Sequence, residues 1–277
     1  MDVDLPRKAG VLGRPIAHSR SPQLHLAAYR ALGLTGWTYE RIECDAEALP
    51  GLVGALGPEW VGLSVTMPGK FAALAVAAER TARAELVGAA NTLVRVPAGW
   101  RADCTDIDGA AAALDELAVP QGDALVGSAP TVILGAGGTA RPAVVALADR
   151  GAREVILAVR DTARATGAAA CARRAGLVPH VVVLGTARFA EACAQAPAVI
   201  STLPGDAAAA QADALAAARR FLDVAYHPWP TSAARAVLDG GGVVVGGLTM
   251  LLGQAYGQVE QFTGRPAPRA AMAAALD

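Results

Sequence analysis

The segment TVILGAGGTARP, residues 131–142, constrains this chain more than any other. An apolar run, a glycine-rich turn and a helical start follow without a gap, which is how a βαβ unit opens. Gly135 permits a tight turn, Gly137 lets backbone approach a pyrophosphate, and Ala140 takes the small position where helix packs on strand. Ala136, Gly138 and Thr139 complete the loop, and the free N–H groups of the helix start favour an anion. Alone, a GxGxxA pattern is also an ordinary glycine turn; the strand before it and the helix after it point to a dinucleotide.

Around this unit, short β-branched or apolar runs alternate with Ala/Leu-rich helical stretches, the pattern of α/β proteins. The spacing predicts strands near 10–12, 37–44, 61–65 and 92–96, with helices at 23–32, 46–56 and 71–78 between them. A helix over 106–118 starts on an acid and stops at Pro120. Strands at 131–134, 154–159, 180–184, 199–202, 221–225 and 243–245 follow, joined by helical crossovers. Helices over 248–262 and 269–276 close the pattern. A chain of 277 residues has room for about two domains.

Hydrophobic residues make up 53% and charged residues 18%, which excludes bulk disorder. The net charge is −1 with no long basic run, so nucleic acid and anionic membranes find no electrostatic footprint. Residues 240–259 are uncharged and long enough to span a bilayer, but seven glycines and several polar side chains break the run. Cys44, Cys104, Cys171 and Cys193 form no CxxC pair, and the opening MDVDLPRKAG has no apolar run for a leader. Both fit a reduced cytoplasmic protein. His18, His25, His180 and His227 show no ligand spacing with the cysteines, so no metal is expected.

The strand after the glycine loop ends VILAVRDTARA, residues 155–165. Chains that hold NAD usually place an acid there for the ribose hydroxyl. Here Arg160 stands at that end with Arg164 one helical turn later, and two guanidinium groups suit a 2′-phosphate. Asp161 could instead reach a hydroxyl, and two arginines in an arginine-rich chain could simply be solvated; NADP is the favoured cofactor.

GRPIAHSRSP, residues 13–22, sets Ser19 and Ser21 just before a helix. Ser21 followed by Pro22 reads as an N-cap, which leaves Ser19 unexplained. Two serines with free helix N–H groups suit a carboxylate. SVTMPGK (64–70) turns from a strand into Lys70, GAANT (88–92) opens a strand with an amide and a hydroxyl, and DCTDIDG (103–109) sets Asp106 at a helix start. Singly, each also reads as a turn or cap. Lysine occurs only at Lys8 and Lys70, so the lysine inside a motif is informative: unlike arginine, it can exchange a proton near neutral pH.

In this order and spacing the motifs resemble the shikimate dehydrogenase family, and the resemblance runs on through ISTLPG (200–205), DVAYHPWPT (223–231), GGLTMLLGQA (246–255) and QFTGRPAP (261–268). It implies two α/β domains with a cleft between them. A substrate-binding domain would take 1–105, completed by helices of 247–277, and a Rossmann-type NADP-binding domain with a parallel sheet would take 106–246. It also implies reversible, NADPH-dependent reduction of 3-dehydroshikimate to shikimate, on the route to chorismate and the aromatic amino acids, by a cytoplasmic monomer or homodimer. Ser19 and Ser21 would then hold the substrate carboxylate, and Thr66, Asn91 and Gln254 the ring hydroxyls. Tyr226 would be a further cleft residue, and Lys70 and Asp106 the catalytic pair. Gly135, Ala136, Gly137, Gly138, Thr139, Ala140, Arg160, Arg164, Thr202, Gly247 and Met250 would line the cofactor.

Two positions depart from the family pattern. Ser64 stands where NVTxPxK has asparagine, and Cys104 where NTD has asparagine. Both are expected to lie behind the contacting residues. Two neighbouring readings stay open at this point. A quinate/shikimate dehydrogenase using NAD would differ at the carboxylate serines and around Arg160, and a silent nucleotide-binding sensor would lack the Lys–Asp pair.

Overall fold

The computed structural model describes residues 6–118 and 129–276, so the expected helix stop at Pro120 lies outside the described residues. The chain divides into two compact units, Met1–Thr105 with Leu251–Asp277, and Asp106–Met250.

In the first unit, β1 (Arg7–Gly13), β2 (Trp37–Glu43) and β3 (Trp60–Val65) alternate with α1 (Ser21–Ala31), α2 (Leu49–Ala55) and α3 (Lys70–Val76). Then come β4 (Glu79–Arg80), α4 (Ala82–Val87), β5 (Thr92–Val96) and β6 (Gly99–Asp103). The sheet runs β2-β1-β3-β5-β6-β4. β1 is parallel to β2 and β3, whereas β5 is antiparallel to β3 and β6, so the sheet is mixed.

The sequence reading has no counterpart for β4, α4 or β6. α4 is a single stretch between two caps: the Thr81 hydroxyl accepts from the Ala84 N–H, and Gly88 closes the helix at φ 70°. α2 starts later than expected because the Asp45 carboxylate takes the Ala48 N–H and makes a turn first.

Side chains alternate across the strands, so each face of the sheet has its own core. Leu12, Leu63 and Leu93 pack with Leu49 and Val53 of α2 and Ala73 of α3. Val11 and Val94 pack on the other face with Leu24, Ala28 and Tyr29 of α1. That face is completed by Val259 and Phe262 of a helix given below and by Met272. Gly62 of β3 makes the close approach possible, since a Cβ there would collide with the Phe262 ring.

The second unit opens with α5 (Asp106–Ala118), β7 (Thr131–Leu134), α6 (Ala140–Asp149), β8 (Glu154–Val159), α7 (Thr166–Arg174) and β9 (Val178–Val183). It continues with α8 (Ala187–Gln195), β10 (Val199–Ser201), α9 (Gly205–Ala209), α10 (Ala212–Leu215), β11 (Arg220–Asp223), α11 (Ser232–Asp239) and β12 (Val243–Gly246). Its six strands are all parallel in the order β12-β11-β10-β7-β8-β9. The order reverses between β7 and β10, the switch point where doubly wound sheets open a crevice at their strand ends. Leu134, Val182, Phe189, Phe221 and Val237 anchor the core of one face, under α8 and α11.

α12 (Gly247–Thr263) and α13 (Arg269–Ala273) end the chain. The second division of the chain falls inside α12, after Met250 rather than before Gly247. Among the described residues no helix is long and apolar enough to cross a membrane.

One core side chain carries a titration. His25 of α1 is fully buried, stacked on Tyr39 at 4.1 Å and on Phe262 at 5.6 Å. Burial outweighs its hydrogen bond to Gln258 and lowers its pKa from 6.5 to about 3. The unfolded chain therefore takes up a proton that the folded chain refuses. This contribution to stability is complete above pH 6.5 and is lost as pH falls toward 3, with a slope of at most about 1.4 kcal/mol per pH unit. Urea unfolding between pH 7 and 4 should show that slope, and His25→Asn should flatten it. An equal slope in the two proteins would exclude His25 as the source.

Candidate active site

The site of the first unit begins at the loop before α1. The sequence reading made Ser21 an N-cap, but Ser21 is the first helical residue; Arg20 is the N-cap and makes no side-chain capping bond. The Ser19 hydroxyl accepts from the Ser21 N–H at 3.3 Å, so the Ser21 hydroxyl is not spent on the helix end. Tyr39 of β2 is buried, and burial drives the pKa of its phenol upward. The Arg41 guanidinium donates twice to the Ser19 carbonyl, at 2.9 and 2.6 Å, and pins the loop to the sheet.

A second group gathers at the end of β3. The Thr66 N–H bonds to the Leu12 carbonyl at 2.8 Å, and the Gly69 N–H bonds back to Thr66 at 2.9 Å, turning the chain into α3. Lys70 is the first residue of that helix and is buried. Its carbonyl accepts from Ala90 N–H at 2.9 Å, while Asn91 accepts from Val65 N–H at 2.7 Å, so Thr66, Lys70 and Asn91 are drawn together. The Asn91 side chain is locked on both sides. Its Oδ1 accepts from the Thr105 N–H at 2.8 Å, and its Nδ2 donates to Thr105 Oγ1 at 2.9 Å and to Gln254 Oε1 at 3.1 Å. Gln254 in turn donates to the Leu251 carbonyl of its own helix at 2.7 Å.

Thr105 precedes Asp106, the buried first residue of α5. The strand leading there is anchored by Asp103, which accepts from Thr81, from Arg83 and from Gln261, each at 2.7 Å. Burial alone would raise the Asp103 pKa; these donors outweigh it and hold the carboxyl at about 2. Cys104 is buried. Ser64 is also buried, its hydroxyl accepting from Tyr39 at 2.6 Å and donating to Gln258 at 2.7 Å.

In the second unit, Gly135 has φ 99°, and a Cβ there would lie 2.6 Å from Thr202 Oγ1. The Thr202 hydroxyl donates to the Leu134 carbonyl at 2.7 Å, so Thr202 braces the glycine turn from beneath. Gly137 faces open space, and Ala140 is buried where α6 begins. A narrow glycine cradle with room above it, at a helix N-terminus, is what a pyrophosphate fits.

Arg160 and Arg164 are both exposed after β8. They do not share an α-helical face as expected, because residues Thr162–Ala165 form a 3₁₀ turn. Asp161 caps that turn, its Oδ1 accepting from the Ala163 N–H at 3.0 Å. Tyr226 lies in the loop after β11, which Asp223 holds by accepting from Thr231 at 2.7 Å and from Ala225 N–H at 3.1 Å. Burial raises the Asp223 pKa. The same loop touches the helix start: Gly247 N–H bonds to Ala225 at 3.2 Å, and a Cβ on Gly247 would strike the Val224 carbonyl. Met250 is buried one turn later.

Sequence reasoning overlooked Tyr39, Thr105 and Gln258. For Gln258 a signal was present: it lies four residues after Gln254 on a helix, hence on the same face. Tyr39 and Thr105 join only through long-range folding and carry no local signal.

Residues 11–93 match the family model described as the shikimate dehydrogenase substrate binding domain, and residues 247–276 match the shikimate 5′-dehydrogenase C-terminal domain. A shikimate dehydrogenase (NADP(+)) from Methylobacterium radiotolerans is 39% identical, over 97% of this chain and 95% of its own. The crystal structure of Mycobacterium tuberculosis shikimate dehydrogenase aligns at TM-score 0.88 and 56% identity, over 98% of this chain and 99% of that one. A shikimate 5-dehydrogenase from Mycobacterium fortuitum aligns at TM-score 0.83 and 58% identity, over 97% of each chain. With relatives alike along nearly its whole length, the chain belongs to the shikimate dehydrogenase family.

Proposed function

We propose that this protein catalyses the reversible NADPH-dependent reduction of 3-dehydroshikimate to shikimate, in the route to chorismate and the aromatic amino acids. The observation that carries the reading is the bonding around Asn91, where the Val65 N–H meets its carbonyl, the neighbouring Ala90 N–H meets the Lys70 carbonyl, and its side chain donates to Gln254. A small trihydroxy acid needs such a set of fixed donors and acceptors. The free, buried cysteines suit a reducing compartment, and we assign the enzyme to the cytoplasm.

In this reading the unit Asp106–Met250 holds the cofactor and the other unit the substrate. NADP, when bound, supplies the carbon that gives or takes a hydride. Ser19 and Ser21 hold the substrate carboxylate; Ser21 is available because its hydroxyl does not cap α1. Thr66, Asn91 and Gln254 bond the ring hydroxyls, and Tyr226 adds a further contact. Lys70 and Asp106 pass a proton to and from the oxygen on the reacting carbon. Gly135, Gly137 and Ala140 accept the pyrophosphate, with Ala136, Gly138 and Thr139 in the same loop. Arg160 and Arg164 hold the 2′-phosphate, and Gly247 and Met250 lie beside the nicotinamide. Capping by Asp161 favours this phosphate reading, since one of its oxygens is already committed to the backbone.

Initial rates with shikimate and with quinate, each against NADP⁺ and NAD⁺, test the function directly. Shikimate with NADP⁺ should be the fastest pair, and a preference for quinate with NAD⁺ would replace this reading. Arg160→Ala with Arg164→Ala should raise the NADP⁺ KM by roughly tenfold or more while leaving any NAD⁺ activity nearly unchanged. An unaltered NADP⁺ KM in that double variant would remove both arginines from phosphate binding.

Lys70→Met keeps much of the stem and removes the exchangeable proton. Turnover should fall by roughly 10²–10⁴-fold, the usual size of a general acid–base contribution. The shikimate KM should move little, because other groups hold the ring and carboxylate. Lys70→Arg should restore charge without restoring rate. Near-normal turnover in either variant takes Lys70 out of proton transfer.

A further inference from the structure

Gln258 lies one turn beyond Gln254 on α12 and is fully buried. Its amide nitrogen donates to the Asn91 carbonyl and to the Thr92 hydroxyl, both at 3.0 Å. Its oxygen accepts from the Ser64 hydroxyl at 2.7 Å and from His25 Nε2 at 3.3 Å. A carboxamide has two N–H donors and two acceptor sites, so this one is saturated. Its orientation is forced as well. The Asn91 carbonyl can only accept, so the nitrogen must face it, and the oxygen must face Ser64 and His25.

That choice constrains the hydroxyls on both sides. Ser64 spends its proton on Gln258 and must therefore accept from Tyr39, at 2.6 Å. On the other side Thr92, having accepted from Gln258, turns its proton toward Asn91 Oδ1 at 3.0 Å. Asn91, whose Oδ1 is also fixed by the Thr105 N–H, donates to Gln254 Oε1 at 3.1 Å. Gln254 and Gln258 also share a helix face, so seating one sets the rotation that presents the other.

We propose that Gln258 is a positioning residue for the substrate. Its saturated amide seats α12 on the Asn91–Thr92 segment and, through the helix face the two glutamines share, sets the rotation that presents Gln254. The inference rests on the functional reading above, in which Asn91 and Gln254 hold ring hydroxyls. A purely structural glutamine would lower stability when replaced but leave shikimate affinity alone.

Gln258→Met keeps the length of the side chain and deletes the amide. Calorimetric titration with shikimate and steady-state kinetics on the folded variant should show shikimate Kd and KM raised about tenfold or more. The NADP⁺ KM should stay near wild type, because the glycine loop belongs to the other unit. Combined with Gln254→Ala, the loss in shikimate affinity should be clearly less than the product of the two single losses, since both changes remove the same support. A wild-type shikimate KM in folded Gln258→Met, or fully multiplicative losses in the double variant, overturns the proposal. If Gln258→Met does not fold, Ser64→Ala removes one of the four bonds and takes its place. It should raise the shikimate KM by a smaller factor, and an unchanged KM there is equally fatal. A wild-type chain that fails to bind shikimate would overturn the functional reading itself, and this inference with it.

Discussion

The substrate-side unit depends on one residue, Asn91. Its backbone carbonyl accepts from Val65 at the end of β3 and from Gln258 of α12, and its side chain grips Thr105 at the approach to α5. Three segments distant in sequence thus meet on one buried peptide group and one buried amide. Leaving any of these partners unsatisfied costs roughly 1–3 kcal/mol, so the alternatives to this arrangement are sparsely populated. Preorganisation follows from that cost. Side chains held in this way do not have to be ordered by a ligand, which spares binding free energy that flexible groups would consume.

The parts of the fold that could be read from the sequence are those set by local pattern. β5 at Thr92–Val96, β7 at Thr131–Leu134, β8 at Glu154–Val159 and α5 at Asp106–Ala118 all have the bounds that alternation and breakers predict. β6 was missed because GWRAD carries an arginine and an aspartate and shows no clean alternation; its pairing with β5 is what makes it a strand. α4 was missed although its signals were present, a threonine cap at Thr81 and a left-handed glycine at Gly88. Six residues are too few for periodicity to register.

Legibility of the site follows the same division. Residues in motifs, such as Lys70 and Gly135, could be named in advance because the motif itself fixes their backbone. What supports them could not. Ser64 was expected to lie behind the contacts, but its two partners, Tyr39 and Gln258, come from β2 and α12 and only the folded chain brings them together. The cap made by Asp161 is likewise a matter of geometry: an aspartate beside two arginines reads as competition for the ribose until its oxygen is seen to hold a backbone N–H.

The order of manufacture gives the discontinuous unit a further meaning. The core around Ala9, Val11 and Tyr39 is completed by Ala255, Val259, Phe262 and Met272, which a ribosome makes after the whole of Asp106–Met250. Until they emerge, one face of the first sheet is covered by α1 without these partners, and the Asn91 carbonyl waits for its second donor. The unit Asp106–Met250 is contiguous and has no such dependence. Domains usually mature from the N-terminus as they are synthesised. In this chain the middle segment is free to mature before the core of the first sheet is completed.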